Sequence, residues 1–289
     1  MDKRPVIKDI LERLYRKYNH YELIKPDPLQ FVYQYSEPAD MEIAGFLAAA
    51  LAYGRVQQIE KSLTKLLGYM GSHPSSFVRN FNNESRVNLK KFKHRFNTGD
   101  DISDLLILLK NVLNKYGSIE SSFVRGYNNN DENIIPALTN FCNSLLKIHT
   151  SGHKGQVSKG LKYLLVSPSD GSACKRLNLF LRWMIRDDEV DAGLWKSIDK
   201  KKLIVPIDVH MGRLCRFLGF HNKNTVSLST AVEITRRFAD IEPNDPVKYD
   251  FALSRIGIVE NCTGKPGNLC RNCELISFCQ NNKYGIINL

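Results

Sequence analysis

The stretch KLIVPIDVHMGRLCRFLGF, Lys202 to Phe220, holds the one run that reads as extended, and the fold class turns on it. Lys202 to Ile207 lacks the apolar-polar alternation of a half-buried strand, so it predicts a short extended piece that leads into a helix. Asp208 stands where the cap of that helix belongs, since aspartate is among the best acceptors for the amides of a first helical turn. Behind it, Val209, Leu214, Phe217 and Leu218 form an apolar set, with the basic residues Arg213 and Arg216 in the same segment. Asp208 is either a cap alone or a carboxylate aimed at chemistry.

Outward from this stretch, apolar residues recur at helical spacing. In PVIKDILERLYRKY, Val6, Ile7, Ile10, Leu11 and Leu14 share one face behind Pro5 at the first turn. The same pattern predicts helices over roughly 40–53, 55–70, 74–81, 101–116, 118–127, 132–149, 172–186, 209–218, 229–239 and 246–257. Asp100 or Asp101 is the expected cap of the fourth of these, and Gly117 its stop. Thr230 and Glu233 have capping-box spacing, and Asp245-Pro246 reads as a cap followed by proline at the first helical position. No segment alternates as a strand does, so the chain is expected to be all-α. Breaks fall at 97–101, 149–156, 167–172 and 199–206 without a low-complexity linker, which implies that any two domains pack closely.

Lys and Arg outnumber Asp and Glu by 41 to 30, and the excess is spread along the chain, so a polyanion is the expected partner. The charged N-terminus has no signal-peptide core, and the most apolar run, IAGFLAAALAY (Ile43 to Tyr53), is too short to span a bilayer. A cytoplasmic protein, nucleoid-associated if prokaryotic, is expected, with a buried helix at Ile43 to Tyr53 and no membrane partner.

Four of the seven cysteines, Cys262, Cys270, Cys273 and Cys279, form a C-x7-C-x2-C-x5-C cluster. In a reducing compartment, clustered thiolates point to a metal centre rather than disulfides. Structural zinc favours two separated close pairs, often with histidine, whereas this segment has one close pair and no histidine. Four thiolates from one short segment suit a [4Fe–4S] cluster, with zinc as the alternative. Lys265 and Arg271, interleaved with these cysteines, either offset the cluster's negative charge or contact phosphate. Cys142, Cys174 and Cys215 lie singly in helical patterns and read as small buried hydrophobes.

A second segment, SPSDGSACKRLNLFLRWMIR (Ser167 to Arg186), places Leu177, Phe180, Leu181 and Met184 on one helical stripe. Lys175, Asn178 and Arg182 fall opposite it, which puts Lys175 off the core face and near the helix start. Trp183, Trp195 and Tyr53 are aromatic candidates for base stacking or for core packing. Gln57 and Gln58 could fill the gap left by an extruded base or simply be a solvated helix start. His210 has no metal-ligand spacing partner and reads as a supporting or surface residue.

VPIDVHMGRL resembles the catalytic-aspartate segment of helix-hairpin-helix DNA glycosylases, especially the 8-oxoguanine branch. The cysteine spacing is similar to the endonuclease III cluster loop with a first gap one residue longer, and SACKRLNLFLRWM looks like the lysine-bearing helix of the same superfamily. The whole chain resembles more closely still an uncharacterised conserved family related to these enzymes, known as domain of unknown function 2400. The likeness is strongest over about residues 165–279, and the glycine-rich hairpin L-P-G-x-G is replaced by SPSDGSAC with one glycine.

The resemblance implies two closely packed helical domains, a six-helix domain over 37–204 and a second over 1–36 plus 205–289 that includes the cluster loop 262–279. It implies a DNA repair glycosylase that flips a damaged nucleotide from duplex DNA into the cleft between the domains. In that reading Lys175 is the nucleophile that also cuts abasic sites as a lyase, and Asp208 is the carboxylate that stabilises the developing positive charge. Arg213, Arg216, Lys265 and Arg271 contact DNA, and no obligate protein partner is implied. The alternative is a non-catalytic nucleic-acid-binding protein that keeps the scaffold and a structural iron–sulfur cluster.

Overall fold

The computed structural model describes residues 4–152, 157–258, 270, 271 and 273–279, and they are predominantly helical. The α-helices run in chain order as α1 (Arg4–Tyr18), α2 (Pro38–Ala50), α3 (Val56–Met70), α4 (Pro74–Arg79), α5 (Asn83–Leu89), α6 (Gly99–Tyr116), α7 (Ile119–Val124), α8 (Ile135–Gly152), α9 (Lys159–Leu164), α10 (Lys175–Ile185), α11 (Val209–Phe217), α12 (Leu228–Ala239) and α13 (Asp250–Ile258). A two-stranded hairpin, β1 (Lys93–His94) and β2 (Asn97–Thr98), precedes α6. No helix among the described residues is long and apolar enough to cross a membrane.

The apolar run becomes α2, and it has no solvent face from Ile43 to Ala50 because it lies at the centre of the molecule. A helix apolar all round must be surrounded, and α10, α4 and the 3-10 turn Pro28–Gln34 supply that enclosure. At Gly45 the approach is close: a Cβ there would sit 3.0 Å from Met184 Cε of α10 and 3.3 Å from Val32 Cγ2.

The first and last described helices meet. α1 packs on α13, and its Glu12 accepts hydrogen bonds from Lys248 Nζ and Tyr249 Oη at 2.6 Å each. Arg13 and Lys17 of α1 also reach Glu274 at 3.5 and 3.6 Å, which ties the cysteine-bearing segment to the same helix.

Several elements differ from the periodicity reading for local reasons. The helix expected from 172 starts at Lys175, because Gly171 (φ 74) ends a 3-10 turn and Cys174 (φ 47) holds the left-handed region just before the helix. Asp245-Pro246 does not open a helix. The Asp245 carboxylate is taken by Arg186 Nε at 3.1 Å, residues 246–249 form turns, and α13 begins at Asp250. The cap of α12 is Ser227, in a capping box with Thr230 rather than one between Thr230 and Glu233. Thr98 caps α6, with Asp101 as the returning partner of its capping box, and Gly117 (φ 85) stops it as expected.

Asn178 and Arg182, expected opposite the core, are buried with the rest of α10 after the half-exposed Lys175. The polar side of this helix faces a second packed layer instead of water. Arg182 donates to Asp191 (3.1 Å) and to Asp250, and Arg186 donates to Asp191 and Asp245 and forms an ion pair with Asp188 (2.9 Å). Such charges survive burial only when paired and hydrogen-bonded.

The run Leu203–Ile207 is extended and fully buried but joins no sheet; the Val205 amide donates instead to Thr235 Oγ1 at 3.0 Å. That settles the opening stretch as an extended lead-in to a helix.

Candidate functional site

A cavity of about 690 Å³ opens where the starts of α10 and α11 approach each other, with α13 below and the turn after α2 at one side. Lys175 is the first residue of α10 and Asp208 the N-cap of α11, so two helix starts present their side chains to the same space. Lys175 Nζ lies 3.0 Å from Asp208 Oδ2, with side-chain exposures of 33% and 37%, so the pair is reachable from the cleft.

The other oxygen, Oδ1, accepts from the amides of His210 and Met211, both at 2.9 Å. One carboxylate therefore does both things the sequence left open: Oδ1 caps α11 and is fixed by it, which aims Oδ2 at the lysine. Burial works against the charge of Asp208. The Lys175 cation and the Met211 amide outweigh it and hold the carboxyl below its usual range.

A depressed folded-state pKa gives stability that is present above the unfolded aspartate value, about 3.9, and lost as pH falls through the folded value. Asp208→Asn keeps a capping oxygen but removes the charge. Its deficit against the wild type, measured by chemical denaturation across pH, is expected at neutral pH and should close as pH falls below the aspartate range. A deficit constant down to pH 2 would show that the charge pair contributes nothing.

Below this pair the cleft floor is already neutralised. Arg182 and Asp250 are 2% and 4% exposed and bond to each other, while Arg255 reaches Asp27 at 3.2 Å. Burial pushes the Asp250 carboxyl up to about 6, with Arg182 pulling against it. The walls are largely apolar. Of the apolar set in this segment, Val209, Leu214 and Phe217 line the cleft, and Val209 is 64% exposed; the buried residues of α11 are Met211, Gly212 and Cys215, with Leu218 buried at its C-cap.

Tyr53 and Tyr163 also line the cleft. Beneath these rings lies the buried Arg176, its guanidinium 4.1 Å from the Tyr163 centroid and 5.1 Å from that of Tyr53. It donates to the backbone carbonyls of Ala50, at 2.7 Å, and Tyr163.

Of the other residues read from the sequence, Arg213 and His210 line the cleft. Arg216 is exposed and donates to Asn224 at 2.9 Å, and Arg271 is exposed on the cysteine-bearing segment. Gln57 and Gln58 are exposed at the start of α3, where Gln58 donates to Ser62 at 3.0 Å. Trp183 and Trp195 are core residues at 0% and 2% exposure, whereas Tyr53 faces the cleft. Cys142, Cys174 and Cys215 are buried as expected, although Cys174 also borders the cleft. Tyr163, Arg176 and Asp250 were not singled out by periodicity: α9 is too short to show it, and the other two are polar residues whose burial only the fold reveals.

Cys262 and Lys265 lie outside the described residues. Cys270, Cys273 and Cys279 lie half-buried on successive turns, joined by Cys273 N to Cys270 O (3.2 Å) and Cys279 N to Leu275 O (3.0 Å), with Leu275 buried as the anchor. Among the described residues no three His, Cys, Asp or Glu side chains converge as a metal site. The donor set that includes Cys262 still has the chemistry of an iron–sulfur ligand set, four soft thiolates on one short segment.

Comparison with curated proteins and with solved structures gives no match. A family model described as protein of unknown function (DUF2400) matches residues 27–259, a span that contains Lys175, Asp208 and every cleft-lining residue except Pro26, and the chain belongs to that family.

Proposed function

We propose that this protein is a DNA repair glycosylase with abasic-site lyase activity, acting on a damaged nucleotide held in the cleft. The observation that carries the reading is the 3.0 Å contact between Lys175 Nζ and Asp208 Oδ2 at the mouth of a cavity large enough for a nucleotide. The likeness of both segments to those of helix-hairpin-helix glycosylases supports it. So does the lining of the cleft, which combines residues from 26–28, 206–226 and 250–256 with residues from 52–59 and 163–182, sets that the likeness would assign to different domains.

In the reaction proposed, Lys175 passes a proton to Asp208 across their contact, and its nitrogen lone pair attacks C1′ of the flipped nucleotide. The N-glycosidic bond breaks, and its electron pair leaves with the base, which takes the proton from Asp208. The carboxylate so restored offsets the positive charge left on the sugar and its nitrogen adduct. The C1′–O4′ bond then breaks as O4′ takes a proton from Nζ, leaving a protonated imine between Nζ and C1′; loss of a C2′ proton expels the 3′ phosphate and cuts the strand. Asp208 can do this without moving, because its second oxygen is locked by the helix start.

Incubation with duplexes bearing an abasic site or 8-oxoguanine tests the proposal. Strand cutting at the abasic site is expected, with base release on the lesion it prefers; neither product on a panel of lesions would overturn it.

Cys262, Cys270, Cys273 and Cys279 are proposed to hold a [4Fe–4S] cluster whose part is structural, fixing the C-terminal segment against α1. Protein purified without oxygen is expected to be yellow-brown with about four iron atoms per chain, and Cys273→Ala to lose the colour. Colourless protein carrying zinc would contradict the assignment.

A further inference from the structure

Beside the cleft, the β1–β2 hairpin presents a feature that the lysine and aspartate chemistry does not use. Its base is pegged inward: His94 and Asn97 are fully buried, His94 Nδ1 contacts Ser62 Oγ at 2.9 Å, and Tyr53 Oη donates to His94 O at 3.1 Å and to Asn97. Its two-residue tip, Arg95-Phe96, points out. Arg95 holds a positive φ of 53, a costly conformation for a residue with a side chain, and lies across Gly54, where a Cβ would sit 2.9 Å from Arg95 Cδ.

Phe96 is 52% exposed, and its ring lies 4.5 Å from that of Tyr163 and 5.4 Å from that of Tyr53, the two aromatics of the cleft wall. Phe96 thus joins the two cleft aromatics in one cluster, its ring tilted 34° to that of Tyr53 and nearly perpendicular to that of Tyr163. Its surroundings are basic: Lys90, Lys91 and Lys93 are exposed beside the tip, and Lys159 and Lys162 are exposed on α9, which packs against β2. The nearby carboxylates Asp100 and Asp104 are taken by Arg86, at 3.1 and 3.0 Å.

We infer that Phe96, with Tyr163 behind it, is a stacking platform for an unpaired base of the bound strand, so that the preferred ligand is a nucleic acid with a gap, bulge or single-stranded stretch rather than an intact duplex. A rigid aromatic ring among cations suits a base plane joined to phosphates, because stacking accepts any base while the lysines meet the backbone. The strained tip is held by buried pegs on both strands, which pre-orders the ring before the strand arrives. This inference rests on the proposed nucleic-acid function but not on its chemistry.

The test is fluorescence anisotropy with labelled intact duplex, the same duplex carrying a one-nucleotide gap, and heparin as a competitor without bases. Phe96→Ala is expected to weaken binding of the gapped duplex about tenfold, with the intact duplex and the salt dependence little changed and the melting temperature preserved. Phe96→Trp is expected to restore the affinity and to show fluorescence quenching on binding, a clear signal because Trp183 and Trp195 are buried. No loss in Phe96→Ala, or a loss equal for gapped duplex, intact duplex and heparin, would overturn the platform. If strand cutting fails while the gap-selective loss is seen, the platform stands and the enzyme reading falls; if cutting occurs and Phe96→Ala binds gapped duplex normally, this inference fails alone.

Discussion

Lys175→Ala is expected to abolish strand cutting at an abasic site and all covalent capture by borohydride, while binding of the same DNA weakens by no more than about fivefold. The asymmetry follows from the geometry. Lys175 makes one ion pair, with both partners about one-third exposed, and such contacts contribute at most about 1 kcal/mol to stability or affinity. As the nucleophile it is irreplaceable by a methyl group, so the chemistry should vanish where the binding barely moves. Asp208→Asn gives the intermediate case: the cap on α11 is kept, the charge that steadies the sugar is lost, and cutting should slow by roughly 100 to 1,000-fold. Equal cutting by wild type and Lys175→Ala would remove Lys175 from the reaction.

The second large effect is on stability. Asp191 is fully buried and receives hydrogen bonds from two buried guanidinium groups, Arg182 Nε at 3.1 Å and Arg186 Nη1. Removing that carboxylate leaves two buried cations short of a counter-charge, and breaking such a pair costs about 3–5 kcal/mol. Asp191→Ala is therefore expected to lower the denaturation midpoint by on the order of 10 °C. The exposed pair between Asp187 and Lys196 is a built-in control: Asp187→Asn should change stability by less than about 0.5 kcal/mol. A small effect at Asp191 would mean that the two arginines find other partners in the cleft floor. Because Arg182 also holds Asp250 beneath the Lys175–Asp208 pair, the same network keeps the floor of the cleft rigid.

Much of this was legible in the sequence where one physical signal dominated. Helical spacing located the long helices, and the apolar run at Ile43–Ala50 announced a helix with no solvent face. The N-cap preference of Asp208 was readable from its place ahead of an amphipathic segment, and its second oxygen was free to do more. What escaped detection depended on partners far away in the chain. Asn178 and Arg182 look solvent-facing on a helical wheel, yet both are buried: α13 and the loop after α10 cover Arg182 with carboxylates, and Asn178 donates back to Ala173 O. Val209, Leu214 and Phe217 look like a core stripe, yet they wall a cleft, because apolar spacing does not distinguish a packed face from a concave one. The two turn residues of the hairpin, Arg95-Phe96, are neither glycine nor asparagine, the residues that mark most two-residue turns, so the exposed Phe96 carried no signal.

In the reaction proposed, Lys175 forms a covalent bond with a deoxyribose carbon. The most direct measurement is peptide mapping by mass spectrometry of wild-type protein reduced with borohydride on an abasic-site oligonucleotide. The expected result is a sugar adduct on the peptide containing Lys175, absent when Lys175 is replaced; no adduct, or one carried by the N-terminal amine or another lysine, would contradict the account.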